Sequence, residues 1–91
     1  MSDWTWEYEP DADHVVGGLT PRVRADVDAL AQRLADAAAV RYLGDPSEHD
    51  SGVSGIRDHA EGRLIVWYME HRRLAILLVL RVQHWPDPET G

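Results

Sequence analysis

The 91-residue chain contains no cysteine, no lysine and no phenylalanine. Without cysteine it can form neither a disulfide bond nor a thiolate metal site, and this absence is typical of a reducing compartment. The apolar run over residues 74–80 is far shorter than the roughly 20 residues of a transmembrane helix. Residues 1–11 are acidic and lack the basic and apolar regions of a signal peptide. We therefore expect a cytoplasmic protein without a membrane segment.

Charge is distributed unevenly along the chain. The net charge is −7, from 16 acidic residues and 9 arginines. The excess acids all lie before residue 14 or after residue 86, so the middle of the chain is neutral. A general nucleic-acid-binding domain usually carries a basic surface. The composition therefore argues against tight non-specific binding of RNA or DNA, although it permits a local cluster of arginines.

The N-terminal part of the chain predicts a strand followed by two helices. Trp4, Trp6 and Tyr8 alternate with polar residues, which is the pattern of a strand with one buried face. Residues 11–18 predict a short helix that ends at a glycine pair. Residues 19–40 predict a long helix, because apolar residues recur there at helical spacing. This apolar stripe comprises Val23, Val27, Leu30 and Leu34.

The remainder predicts a loop and three strands. Residues 41–55 are rich in Gly, Pro, Ser and Asp and predict a loop, after which a strand is expected over about 53–59. Gly62 suits a turn with a positive φ. Residues 63–69 and 74–85 predict an antiparallel hairpin.

The hairpin allows two further predictions. Residues 70–73, "EHRR", predict its polar turn. The second strand is apolar on both faces from Leu74 to Leu80, which predicts a central strand covered on both sides.

These elements predict an α+β fold with the order βααβββ. We expect an N-terminal strand, a helical hairpin and a three-stranded antiparallel meander, with the helices packed on one face of a small sheet. Residues 1–86 would form a single domain. Residues 87–91, which follow Pro86 and include Pro88, would form a flexible tail.

The chain resembles the RelE/ParE toxin superfamily of bacterial type II toxin–antitoxin systems. Residues 19–36, "LTPRVRADVDALAQRLAD", are similar to the family's second helix, which commonly begins near a Leu-x-Pro. Residues 61–85 are similar to its last hairpin, in which a Gly-x-Arg-hydrophobic stretch precedes an apolar strand that ends in a Gly-His-Arg-like tripeptide. The resemblance covers roughly residues 4–86 and implies the βααβββ fold. It also implies a toxin that a cognate antitoxin protein neutralises, with mRNA on the ribosome, or gyrase, as the target.

The resemblance also selects residues. Arg63 matches an arginine on the family's penultimate strand, and His84 matches a basic or histidine position near the end of the last strand. Trp85 stands where the family often has arginine, and Gln83 where it often has glycine; Arg81 has no family counterpart. The family's C-terminal tyrosine and the lysines around the substrate phosphate have no match in this sequence.

Arg63, Arg81 and His84 are the candidate catalytic residues. A metal-independent endoribonuclease needs groups that transfer protons and cations that bind the phosphate, which suits histidine and arginine. Strand alternation, however, places His84 on one face of the last strand, and Arg81, Gln83 and Trp85 on the other. The alternative for His84 is a solvated histidine at a strand end, hydrogen-bonded to backbone or water.

Arg57 and Trp85 are the candidate binding residues. Arg57 and Arg63 would form a basic cluster with Arg81. The alternative is a set of surface salt bridges to Asp58, Glu61 or Glu70. Trp85 would stack on a base, whereas the other aromatic residues are expected to pack in the core and on the sheet.

No metal site or cofactor is expected. The sequence has no P-loop, no glycine-rich dinucleotide motif and no helical zinc motif. Two function classes remain open: a toxin that cleaves mRNA, and a non-catalytic RelE/ParE-like interaction module. The second class would bind a gyrase-type target or form a homodimer through the sheet or the helices.

Overall fold

The structure is a computed structural model that describes residues 4–42 and 53–85. It confirms the α+β class, with two helices and a four-stranded sheet. The predicted tail, 87–91, and most of the predicted loop, 41–55, lie outside the described residues. The strands are β1 (Thr5–Tyr8), β2 (Arg57–Glu61), β3 (Leu64–His71) and β4 (Ile76–His84), and the helices are α1 (Ala12–Val16) and α2 (Pro21–Arg41).

The sheet is mixed, with the strand order β1-β4-β3-β2. β2, β3 and β4 are antiparallel neighbours, whereas β1 lies parallel to β4. The sheet is therefore not a simple three-stranded meander, because β1 adds to it as a fourth strand that is parallel to β4. β4 occupies a central position, as its two apolar faces predicted.

α2 supplies the larger part of the helical side of the core. Thr20 caps the helix by accepting a hydrogen bond from the Val23 backbone N–H at 3.3 Å, and Pro21 occupies the first turn, where its missing N–H costs nothing. The predicted stripe is confirmed at Val27 and Leu30, and three alanines extend it. Because alanine is small, the helix can approach the sheet closely. The buried alanines are Ala31, Ala35 and Ala38.

Both helices pack on the same face of the sheet. Trp4, just before β1, Val66 of β3 and Leu77 of β4 are buried on this face with residues of α2. Val16 of α1 packs with Val27 and Leu64 in a second cluster. In the part of the chain that the structure describes, no helix has both the length and the apolar character to cross a membrane.

The opposite side of the sheet, here called the open face, has no helix among the described residues packed against it. The prediction that β4 is covered on both sides is therefore wrong for these residues, since Leu78 and Leu80 are only half-buried. The segment from α1 to α2 crosses one face only, so it cannot cover the other. The open face includes Glu7, Ile56, Asp58, Ile65, Trp67, Met69, Leu78, Leu80 and Arg81.

Two strand boundaries differ from the predictions. β2 begins at Arg57 rather than near residue 53, and Val53 forms only an isolated bridge with His71. β3 continues through Glu70 and His71, so the turn lies at residues 72–75 instead of 70–73. The polar character of "EHRR" was misleading because Glu70 is buried and bound by other polar side chains.

Glu70 is the centre of a buried ionic cluster. Its side chain is 1% exposed, and its carboxylate pairs with Arg41 and, at 2.8 Å, with Nε of Arg57. The Tyr42 hydroxyl donates to the same carboxylate at 3.0 Å. The Glu70 backbone N–H also donates to the Ser54 hydroxyl at 2.9 Å. The Glu70 carboxylate therefore joins the end of α2 and the start of β2 to β3, and its backbone N–H holds the segment before β2.

We expect Glu70→Gln to lower the free energy of unfolding by about 2 kcal/mol, because charge-assisted hydrogen bonds to a buried group are lost and two half-exposed arginines lose their counter-charge. Urea denaturation measures this difference. Glu7→Gln, on an exposed position of β1, is the matched control and should change stability by less than about 0.5 kcal/mol. Equal effects of the two substitutions would show that the cluster does not stabilise the fold.

Candidate functional site

A cleft of about 400 Å³ lies between α2 and the end of the sheet where β2 turns into β3. Two of the three candidate catalytic residues, Arg63 and His84, line it. We call it the Arg63 cleft. The other residues that line the cleft are Asp26, Ala29, Arg33, Glu61, Gly62 and Leu64.

The β2–β3 turn and the β3–β4 ladder bring Arg63 and His84 together. Gly62 has φ +57°, as its predicted turn role requires, and Arg63 is the second turn residue rather than the first residue of the strand. Leu64, the next residue, is opposite His84 in the ladder. The Trp85 backbone N–H closes the arrangement by donating to the Arg63 carbonyl oxygen at 3.2 Å.

Arg33 and Glu61 form an ion pair at the rim of the cleft. The Arg33 guanidinium donates to both oxygens of the Glu61 carboxylate, at 3.1 and 2.5 Å. These bonds hold the pKa of the Glu61 carboxyl below its ordinary value. His59 lies further away, with its Nε2 atom 3.8 Å from Glu61. Because α2 and β2 meet through this pair, it fixes one wall of the cleft.

The charges that line the cleft are balanced. Arg33 and Arg63 face the two acidic residues Asp26 and Glu61. A site for a highly charged polyanion normally has an excess of positive charge. In residues 4–42 and 53–85, no group of three or more His, Asp or Glu side chains could hold a metal ion. The lining residues of the cleft offer one imidazole, two guanidinium groups and two carboxylates.

Arg81 lies on the open face, away from the Arg63 cleft. Its guanidinium carbon is 5.2 Å from the centroid of the Trp67 ring. The ladder contains a bulge, since Tyr68 is opposite Val79 while Trp67 is opposite Arg81, which leaves Leu80 as the extra residue. Because the bulge precedes Arg81, residues 81 to 84 still alternate normally. The predicted separation of Arg81 from His84 is confirmed, and the three candidates do not form one site.

The candidate binding residues lie in different places. Arg57 pairs with Glu70, one of the acids that the salt-bridge alternative names, so that alternative is confirmed for Arg57. Arg57 lies on the helical side of the sheet and Arg81 on the open face, so the basic cluster with Arg81 is not formed. Trp85 follows β4 and is 37% exposed, which confirms that this tryptophan reaches the surface. Any catalytic or binding role of these residues stays a prediction.

Arg33 is a residue of the cleft that the sequence did not indicate. Its partner, Glu61, is distant in the sequence, and no local pattern links the two. A signal was nevertheless present, because Asp26, Ala29 and Arg33 recur at helical spacing beside the apolar stripe of α2. A row beside the apolar stripe of a helix is placed to contact the edge strand of the sheet, as Arg33 contacts Glu61 of β2.

Comparisons with known proteins do not identify a relative. No protein-family model, no curated protein sequence and no solved structure matches the chain. The assignment of a function therefore depends on the geometry of the Arg63 cleft and of the open face.

We expect Gly62→Ala to lower the free energy of unfolding by about 1 kcal/mol, because an alanine is strained at a φ of +57°. Gly18→Ala is the matched control: a Cβ atom there meets nothing within 4 Å, and its φ is not in the left-handed region. Urea denaturation of both variants checks the expectation. If both variants lost the same stability, the turn would not depend on a positive φ.

Proposed function

We propose that the chain is the toxin component of a bacterial type II toxin–antitoxin system of the RelE/ParE-like kind, neutralised by a small antitoxin protein. The observation that carries the proposal is the meeting of Arg63 and His84 in one cleft. These are the two residues that the family resemblance selects, and they come from the β2–β3 turn and from the end of β4. The element order βααβββ supports the same proposal. The target would be a cytoplasmic macromolecule, either gyrase or mRNA on the ribosome.

The mode of action that the geometry supports best is inhibition by binding a protein target, of the gyrase type that the resemblance implies for ParE-like members. Arg81 is on the other face of the sheet, so it cannot act with His84 on one substrate. The two arginines that line the cleft are balanced by two acids, which weakens attraction for an RNA backbone. A neutral cleft with charges of both signs suits a protein surface that carries complementary charges.

Cleavage of mRNA is the second candidate, and the observation in its favour is the position of the His84 imidazole beside Arg63. His84 would accept the proton of a 2′-hydroxyl, whose oxygen attacks the adjacent phosphorus. The bond to the 5′-oxygen then breaks, and that oxygen takes up a proton from the imidazolium. The products are a cyclic phosphate and a 5′-hydroxyl end. Arg63 would donate hydrogen bonds to the phosphate during this step.

Induced expression of the chain in a bacterial host should stop growth, and co-expression of a small neighbouring reading frame should restore it. Growth curves and the integrity of mRNA, measured by primer extension, separate the two modes. Growth arrest with intact mRNA supports inhibition by binding. Arrest with cleaved mRNA supports the nuclease. Normal growth at a level of soluble protein that is easily detected would contradict the toxin proposal.

Substitutions in the cleft test whether it is the site. Arg63→Ala and His84→Ala should each reduce toxicity at least tenfold, measured as survival after induction. Arg22→Ala removes the same charge from an exposed position at the start of α2 and should leave toxicity unchanged. In the nuclease mode, His84→Ala abolishes cleavage, whereas in the binding mode no variant cleaves mRNA. Full toxicity of both cleft variants would remove the Arg63 cleft as the site.

A further inference from the structure

We propose that the open face is the interface of a symmetric homodimer, in which two copies pack sheet against sheet about a twofold axis parallel to β3. This inference does not depend on the activity of the Arg63 cleft, which lies on the helical side of the sheet. It follows from the apolar character of the face and from the position of two opposite charges on β2 and β4, the strands on either side of β3. Glu7 is also on this face, but β1 lies beyond the strands that overlap about this axis.

The centre of the open face is apolar. Ile65, Trp67 and Met69 of β3 point to this side, and Leu78 and Leu80 of β4 lie beside them, all half-buried. Ile56, at the edge, is 68% exposed. A shallow hollow of about 260 Å³ lies between Ile56, Trp67, Leu80 and Arg81. A contiguous apolar surface of this kind marks an interaction site in a soluble protein.

Asp58, Trp67 and Arg81 form a row across three neighbouring strands. Asp58 is opposite Trp67 in the β2–β3 ladder, and Trp67 is opposite Arg81 in the β3–β4 ladder. Neighbouring strands lie about 4.8 Å apart, so the two charged residues are on the order of 10 Å apart at the backbone, with the tryptophan between them. The row has a negative end, an aromatic centre and a positive end.

Rotation by 180° about an axis that passes over Trp67 parallel to β3 turns this row onto itself with its ends exchanged. Arg81 of one copy then faces Asp58 of the other, twice, while the two Trp67 side chains meet at the axis. A twofold axis across the strands would instead bring like charges together. The charges therefore favour one dimer geometry, which is isologous and closed, and two sheets can pack in this way about 10 Å apart.

The two charged residues are available for such contacts. Both are exposed, and among residues 4–42 and 53–85 neither forms an ion pair within 4.0 Å. Arg81 lies over the Trp67 ring at 5.2 Å. A guanidinium stacked on an aromatic ring keeps its N–H groups at the edge, where a carboxylate can accept them in pairs.

The size of the face is compatible with a weak dimer. About this axis β4 of one copy lies over β2 of the other, so only β2, β3 and β4, with 5, 8 and 9 residues, overlap. At about 3.3 Å per residue and about 4.8 Å between strands, they present a flat area of roughly 350 Å² per copy. This is below the roughly 600–1,000 Å² that stable specific interfaces bury on each partner, so the contact belongs to the weak, transient class. We therefore expect a dissociation constant in the micromolar range and a reversible equilibrium.

Sedimentation velocity of the full chain over a range of concentrations tests the proposal. The wild-type protein should pass from monomer to dimer as the concentration rises through the micromolar range. Asp58→Arg and Arg81→Asp should each raise the dissociation constant about 100-fold or more, because each places like charges together at two positions of the dimer. The double variant, which exchanges the two charges, should recover the dimer to within about tenfold of wild type.

Arg22→Asp, a charge reversal on α2 far from the open face, is the control and should dimerise as the wild type does. Circular dichroism and a thermal melt establish that each variant is folded. A wild-type protein that stays monomeric up to about 100 μM would overturn the proposal. A dimer that survives both single reversals would overturn it, as would a folded double variant that does not recover.

Discussion

The carboxylate of Glu70 joins three segments that are distant in the sequence. Arg41 and Tyr42 come from the end of α2, Arg57 comes from the start of β2, and Glu70 itself is in β3. A buried carboxylate is stable only when several donors surround it, so these segments must converge before the charge can be buried. The Tyr42 ring also stacks on Trp4 with centroids 5.8 Å apart, which extends the constraint to the N-terminal strand. Because α2 and β2 form the walls of the Arg63 cleft, the geometry of the cleft depends on this cluster.

The sheet separates two surfaces of different character. The helical side has a small charge-balanced cleft at one end. The open face is mainly apolar and is crossed by the row of Asp58, Trp67 and Arg81, which has a negative end and a positive end. The bulge at Leu80 lets β4 keep Val79 and Val82 on the helical side while Leu80 stays half-buried. Arg81 and His84 therefore belong to different surfaces, although they are close in the sequence. A target that enters the cleft and a second copy on the open face would not compete for the same residues.

Much of the fold was predictable from local patterns, and the remainder depends on distant contacts. The alternation in β1 and the apolar stripe of α2 each follow the period of their secondary structure in neighbouring residues. The continuous apolar run of β4 is also a local pattern, and it predicts a central strand. The burial of Glu70 was not predictable, because a lone glutamate in "EHRR" has the appearance of a solvated turn. The parallel pairing of β1 with β4 and the Arg33–Glu61 pair were not predictable either, since neither leaves a local pattern. In the site, alternation correctly separated Arg81 from His84, but only the structure shows that Arg63 joins His84.

We propose that the chain acts on its target through the Arg63 cleft. Saturation mutagenesis with selection for survivors of induced expression, combined with a screen for soluble folded protein, tests this most directly. Folded survivors should carry substitutions concentrated at Arg63, His84 and their neighbours in the cleft. A different pattern would contradict this proposal. Survivors would then carry substitutions on exposed residues outside the cleft, and clones with Arg63 or His84 replaced would remain toxic.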